Sequence, residues 1–156
     1  MQKSFTLLFH LLWVMSSAQT DDLTQYVNPL IGTDSRYEFS NGNTYPAIAL
    51  PWGMNAWTPQ THQMGNGWCY QYSTNKIRGI KQTHQPSPWI NDYGAFALFA
   101  TTGEAVFDEN KRESWFSHKA ETARPHYYSV YLASYHTTME VTPTERAACF
   151  RIRYPS

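Results

Sequence analysis

Glycine and proline decide what the first part of this chain cannot become. Pro29, Gly32, Gly42, Pro46, Pro51, Gly53 and Pro59 punctuate residues 26–61 so closely that no long helix fits between them. Short strands joined by shaped loops remain. From residue 67 onward a period of two takes over. Trp68, Tyr70 and Tyr72 alternate with Cys69 and Gln71, and residues 79–83 (GIKQT) form another short extended run. Residues 94–100 (GAFALFA) are apolar on both faces, which predicts a sandwiched central strand, and Thr101-Thr102-Gly103 then turns the chain. Tyr128, Val130 and Leu132 mark one face of residues 127–135. Met139 and Val141 alternate with Thr138, Glu140 and Thr142, and Phe150, Ile152 and Tyr154 with Cys149, Arg151 and Arg153. These are half-buried antiparallel strands. Short strands separated by turns predict an all-β antiparallel β-sandwich, supersandwich-like. With only Pro155-Ser156 after the last strand, the expectation is a sandwich incomplete at the C-terminus, as in a gene fragment.

Composition narrows the function. The 156 residues carry 12 basic and 12 acidic side chains and no basic run, which offers nothing to nucleic acid or an anionic membrane. Only 15% of residues are charged while 16% are aromatic. That leaves rings beyond what a core needs, and an aromatic face suits the apolar C–H face of a pyranose. Residues 1–18 read as a signal peptide: Lys3, then the apolar run 5–15, then Ser16-Ser17-Ala18. The run is shorter than the roughly 20 residues of a membrane span, so the expected location is secreted or periplasmic, with no membrane insertion after cleavage. Residues 19–25 read as a linker and 26–156 as one domain. Cys69 and Cys149 could pair in an oxidising compartment or remain two partly buried thiols, and spacing does not choose between them.

Two stretches carry candidate chemistry. In 42–46 (GNTYP), Gly42 permits close backbone approach, while Asn43 and Thr44 offer neutral groups suited to hydroxyls; a tight turn explains the same residues. In 82–94 (QTHQPSPWINDYG), Pro86 and Pro88 stiffen a segment holding His84, Trp89, Asn91 and Asp92. Taken singly, His84 is a structural imidazole and Asp92 a turn residue; as a cluster they suit binding. His62, His84 and Asp92 have metal-ligand chemistry but no metal-site spacing. Ser87, His84 and Asp92 lack a nucleophile elbow. Glycoside hydrolysis needs two carboxylates around the ring. Only Asp92 has a site-like neighbourhood, so no catalytic pair is expected here.

Residues 27–33 (VNPLIGT), 42–47 (GNTYPA), 50–54 (LPWGM), 78–84 (RGIKQTH), 91–94 (NDYG), 116–121 (FSHKAE), 125–130 (PHYYSV) and 140–146 (EVTPTER) resemble the opening of glycoside hydrolase family 92. The resemblance runs from Tyr26 to the end. It implies a secreted, exo-acting, inverting α-mannosidase, with α-1,2 linkages in mannose-rich glycans as the expected substrate and calcium as cofactor. It implies a β-sandwich packed on an (α/α) barrel that holds the acid, the base and the calcium ligands. This chain is then a fragment without the catalytic domain, with no catalytic or metal residue of its own. The same resemblance places Trp68 as a stacking wall and Gly42, Asn43, Thr44, His84 and Asp92 at the substrate cleft. Trp52, Trp57 and Trp89 are candidates for the barrel-facing surface; core packing explains the same residues. Pro51-Trp52-Gly53 departs from the family's usual Phe, and residues 85–89 from its usual Gly-rich run. A stand-alone sugar-binding module is the competing reading.

Overall fold

The computed structural model describes residues 22–34, 38, 44–62, 70–83 and 96–156. Three antiparallel sheets and very little helix make up these residues. The strands are β1 (Ala56–Gln60), β2 (Lys76–Ile77), β3 (Gly79–Thr83), β4 (Ala97–Leu98), β5 (Ser114–Trp115), β6 (Glu121–Arg124), β7 (Tyr127–Leu132), β8 (Thr137–Pro143) and β9 (Ala148–Arg153). One sheet has the order β1-β3-β4, a second pairs β2 with β5, and the third is the meander β6-β7-β8-β9. The fold is the all-β, sandwich-like architecture expected from the alternation.

Register explains the burial. Val130 lies opposite Met139 and Tyr128 opposite Val141, with Ile152 and Phe150 beyond them on β9. One face of the meander is therefore a continuous apolar surface. It meets Trp57 of β1, whose indole packs edge-on against Phe150 at 5.0 Å and against Phe96 at 5.8 Å. The Ala100 amide lies 3.3 Å from the Met139 sulfur and joins the two layers again. Trp57 is thus core rather than barrel-facing surface, its indole N–H satisfied by Asn55 at 2.6 Å.

The outer face of the meander is polar. The buried Glu140 carboxylate accepts from both Arg151 and Arg153, and from the Tyr127 hydroxyl at 2.5 Å. The Arg151 hydrogen bonds hold the Glu140 carboxyl well below its ordinary value; burial opposes them, and Arg153 and Tyr127 assist. A carboxyl depressed on folding adds stability above its unfolded value, near 4.3, and loses it as pH falls below. Glu140→Gln is therefore expected to flatten the loss of stability on acidification below about pH 4.3, read as urea midpoint against pH.

Two sequence expectations are corrected. Residues 97–98 form a two-residue strand at the edge of its sheet, with Phe96 and Leu98 exposed, not a sandwiched central strand. The described part of the 68–72 run, Tyr70 to Tyr72, enters a turn and joins no strand. Residues 109–112 make one helical turn, α1, because the Asp108 carboxylate caps the amides of Asn110 and Lys111. Cys149 is free and exposed; Cys69 lies outside the described residues. Among the described residues, no helix is long and apolar enough to cross a membrane.

Candidate functional site

The three-stranded sheet has an unusual second face. Trp57, Pro59 and Ile80 face the meander, so Ala56, Thr58 and Gln60 of β1, with Lys81 and Thr83 of β3, point the other way. That face is polar and fully buried, Lys81 being only 1% exposed. The Tyr45 hydroxyl lies 2.9 Å from the Thr83 hydroxyl and ties residue 45 to the end of β3. Buried polar groups must be satisfied, so such a face specifies what lies over it.

The Asp34 carboxylate accepts from Gln71 at 3.2 Å and from Ser73 at 3.3 Å. Gln71 also meets the His62 imidazole at 3.2 Å and donates its amide to the Thr61 hydroxyl at 3.0 Å. Burial pushes the His62 imidazole down from its ordinary value, against the Gln71 hydrogen bond. Asp34, His62 and Gln71 are thereby held together. Gly32 shapes the neighbouring corner: its φ is 79°, and an added Cβ would come within 2.8 Å of the Thr44 hydroxyl. That hydroxyl donates to the Ile31 carbonyl at 3.1 Å. Glycine is required there both for conformation and for space.

Below this corner sits a buried polar knot. The Glu121 carboxylate, 1% exposed, accepts from the Tyr128 hydroxyl at 2.6 Å and the Tyr70 hydroxyl at 3.1 Å, and lies 2.6 Å from His118 Nδ1. His118 Nε2 lies 2.7 Å from the Tyr72 carbonyl oxygen, and the two rings stack at 3.9 Å. Burial first, then the Glu121 charge, push both phenols far above their ordinary values. Both stay protonated donors. The knot fixes the chain at Tyr70 and Tyr72.

Of the residues expected at the site, Thr44 is described, and it is exposed beside Gly32. Gly42, Asn43, Trp68, His84 and Asp92 lie outside the described residues, as does Trp89. Tyr45 and Thr83, joined through their hydroxyls, lie at the polar face. Sequence reasoning missed the Tyr70–Glu121–His118 knot, although the run 116–121 had been singled out. Trp52, expected as a surface candidate, has a fully exposed indole.

Among the described residues, no three His, Cys, Asp or Glu side chains gather as a metal site. Glu121, Glu140 and Glu113 are each engaged by protein donors: two phenols; two guanidiniums and a phenol; and Lys76 with Arg78. Calcium wants an oxygen-rich cage, which these carboxylates do not offer.

The described residues form an all-β domain with one buried polar sheet face. Residues 26–156 match the model of the glycosyl hydrolase family 92 N-terminal domain, and the chain belongs to that family. It is similar to the family GH92 inverting mannosidase BT2199 of Bacteroides thetaiotaomicron, with 47% identity and a TM-score of 0.81 over 89% of this chain. It is also similar to the α-mannosidase BT3965 of the same organism, with 34% identity and a TM-score of 0.76 over 87%. A structure of BT3965 in complex with mannoimidazole aligns at 33% identity with a TM-score of 0.75 over 86% of this chain. The chain spans 19% of the length of BT2199 and of BT3965. No curated protein matches.

Proposed function

We propose that this chain is the cleft-forming N-terminal domain of a secreted, exo-acting, inverting α-mannosidase that removes α-1,2-linked mannose from mannose-rich glycans. The observation that carries the reading is the 47% identity to an inverting mannosidase over 89% of this chain. In this reading Gly42, Asn43, Thr44, Trp68, His84 and Asp92 face the sugar, and the general acid, general base and calcium ligands lie in an (α/α) barrel domain outside this sequence. A protonated carboxylic acid donates to the leaving oxygen while a carboxylate activates water on the opposite face.

The test compares this chain with the same chain joined to the remaining part of BT2199. Both are assayed on α-1,2-mannobiose with and without calcium, and the released anomer is followed by proton NMR. The expected result is β-mannose first, from the joined chain alone and only with calcium. Release of mannose by this chain alone would overturn the assignment of the chemistry to another domain. Faster cleavage of α-1,3-mannobiose would overturn the linkage.

A further inference from the structure

We propose that residues 23–31 are the surface on which the remaining polypeptide of this hydrolase docks, with Val27 and Ile31 as its apolar anchors. The proposal rests on the reading above, that this chain is one domain of a longer hydrolase, and names the face that meets the rest. Leu23, Tyr26, Val27 and Ile31 are each more than half exposed, Ile31 at 75%. Val27, Pro29, Ile31, Ala47 and Pro125 line one surface groove of about 260 Å³. A face made for water carries charge, yet residues 23–33 hold no charged side chain; the nearest are Asp22 and Asp34 at either end. Grouped apolar side chains left in water, without charge among them, have the composition of an interface core.

The segment holds these side chains in place before anything docks. The Asp22 carboxylate caps residues 23–26 by accepting from the Thr24 amide at 3.1 Å. The Asn28 side-chain oxygen accepts from the Leu30 amide at 3.0 Å, and the Thr33 hydroxyl donates to the Leu30 carbonyl at 2.7 Å. Leu30 packs against the core, while Ile31 beside it stays in solvent. The Ala49 amide donates to the Pro125 carbonyl at 2.8 Å and fixes Pro125 of the groove. A surface ordered in advance loses little freedom on docking.

The groove suits polypeptide better than sugar. Its polar groups are engaged within the chain: Asn28 with Leu30, the Thr44 hydroxyl with the Ile31 carbonyl at 3.1 Å, and the Tyr45 hydroxyl with that of Thr83. What it offers outward is apolar contact. This chain spans 19% of BT2199, so most of such a protein lies outside this sequence and packs on some face of this domain. A second groove, lined by Leu98, Val106 and Phe107, is the rival face. Glu104, Asp108, Glu109, Lys111 and Arg112 crowd residues 104–112 there, which marks it as solvated. Docking on Ile31 also reaches the expected sugar site, because the Ile31 carbonyl holds the Thr44 hydroxyl.

Hydrogen exchange read by mass spectrometry tests the surface on this chain and on the same chain joined to the remaining part of BT2199. Amides of residues 23–33 are expected to exchange about tenfold slower or more in the joined chain, since a covered segment opens less often. Ile31→Asp should abolish that slowing, and Ile31→Leu should keep it. In this chain alone, Ile31→Asp should melt within about 2 °C of wild type, as a change at an exposed position does, which separates lost docking from lost folding. Equal exchange of residues 23–33 in the two chains would overturn the surface. Slowing at residues 97–107 alone would overturn it in favour of the second groove. If the joined chain cleaves mannobiose without slowing at 23–33, the surface fails and the mannosidase reading stands. Slowing without cleavage supports the surface and counts against the mannosidase reading alone.

Discussion

Glu121→Ala is expected to cost roughly 3–5 kcal/mol of stability, a large share of what holds a domain of this size together. The carboxylate is buried, and its acceptor capacity is spent on two phenols, with an imidazole alongside. Alanine removes the charge, and the donors stay behind. Tyr128 is wholly buried and Tyr70 nearly so, and neither phenol has water to turn to. An orphaned buried donor costs about 1–3 kcal/mol, and this substitution creates two, besides leaving His118 with one partner fewer. Glu121→Gln keeps an acceptor oxygen and the volume, but its amide then faces donors, so an intermediate loss is expected. Urea unfolding followed by tryptophan fluorescence measures both. The near-ultraviolet signal of Tyr72, stacked on His118, reports whether the corner loosens before the domain unfolds. A cost below about 1 kcal/mol for the alanine variant would mean that the phenols find other acceptors.

How far the sequence reveals such features depends on distance along the chain. Strands β7 to β9 of the meander were legible because each hairpin pairs near neighbours and the alternation of Tyr128, Val130 and Leu132 states which face is buried, whereas β6 was not read as a strand. Residues 94–100 were misread because a run apolar at both parities looks alike in a covered centre strand and in an edge. The helical turn 109–112 was hidden because its determinant is one capping carboxylate, Asp108, and not a periodic pattern. Glu121 was on the page among twelve acids, but its partner Tyr70 is 51 positions away, and nothing in a single sequence joins them. Trp57 and Trp52 looked equivalent as surface candidates. The structure separates them through a bridge to Ile48 that buries one and a left-handed turn that exposes the other.

Ile80→Ala is expected to cost about 2–5 kcal/mol, and the conservative Ile80→Val only about 0.5–1.5. Ile80 is fully buried in β3, between Pro59 and Leu98 on the face that meets the meander. Truncation forfeits the buried apolar area of the removed atoms and leaves a cavity that the packed strands collapse into only in part. The same strand carries Lys81 and Thr83 on its other face, so β3 is shared by the core and the polar side. That sharing yields a sharper expectation than stability alone. A hole under Ile80 lets β3 shift, and the 2.9 Å contact between Tyr45 and Thr83 lies on the opposite face of that strand. Thr83→Val, which deletes that hydroxyl with little change in volume, should cost only about 1 kcal/mol. If core and polar face are mechanically one unit, the Ile80→Ala, Thr83→Val double variant should lose less than the sum of the two single losses. Strict additivity within about 0.3–0.5 kcal/mol would show that the two faces of β3 act independently and that the polar side is positioned by its loops.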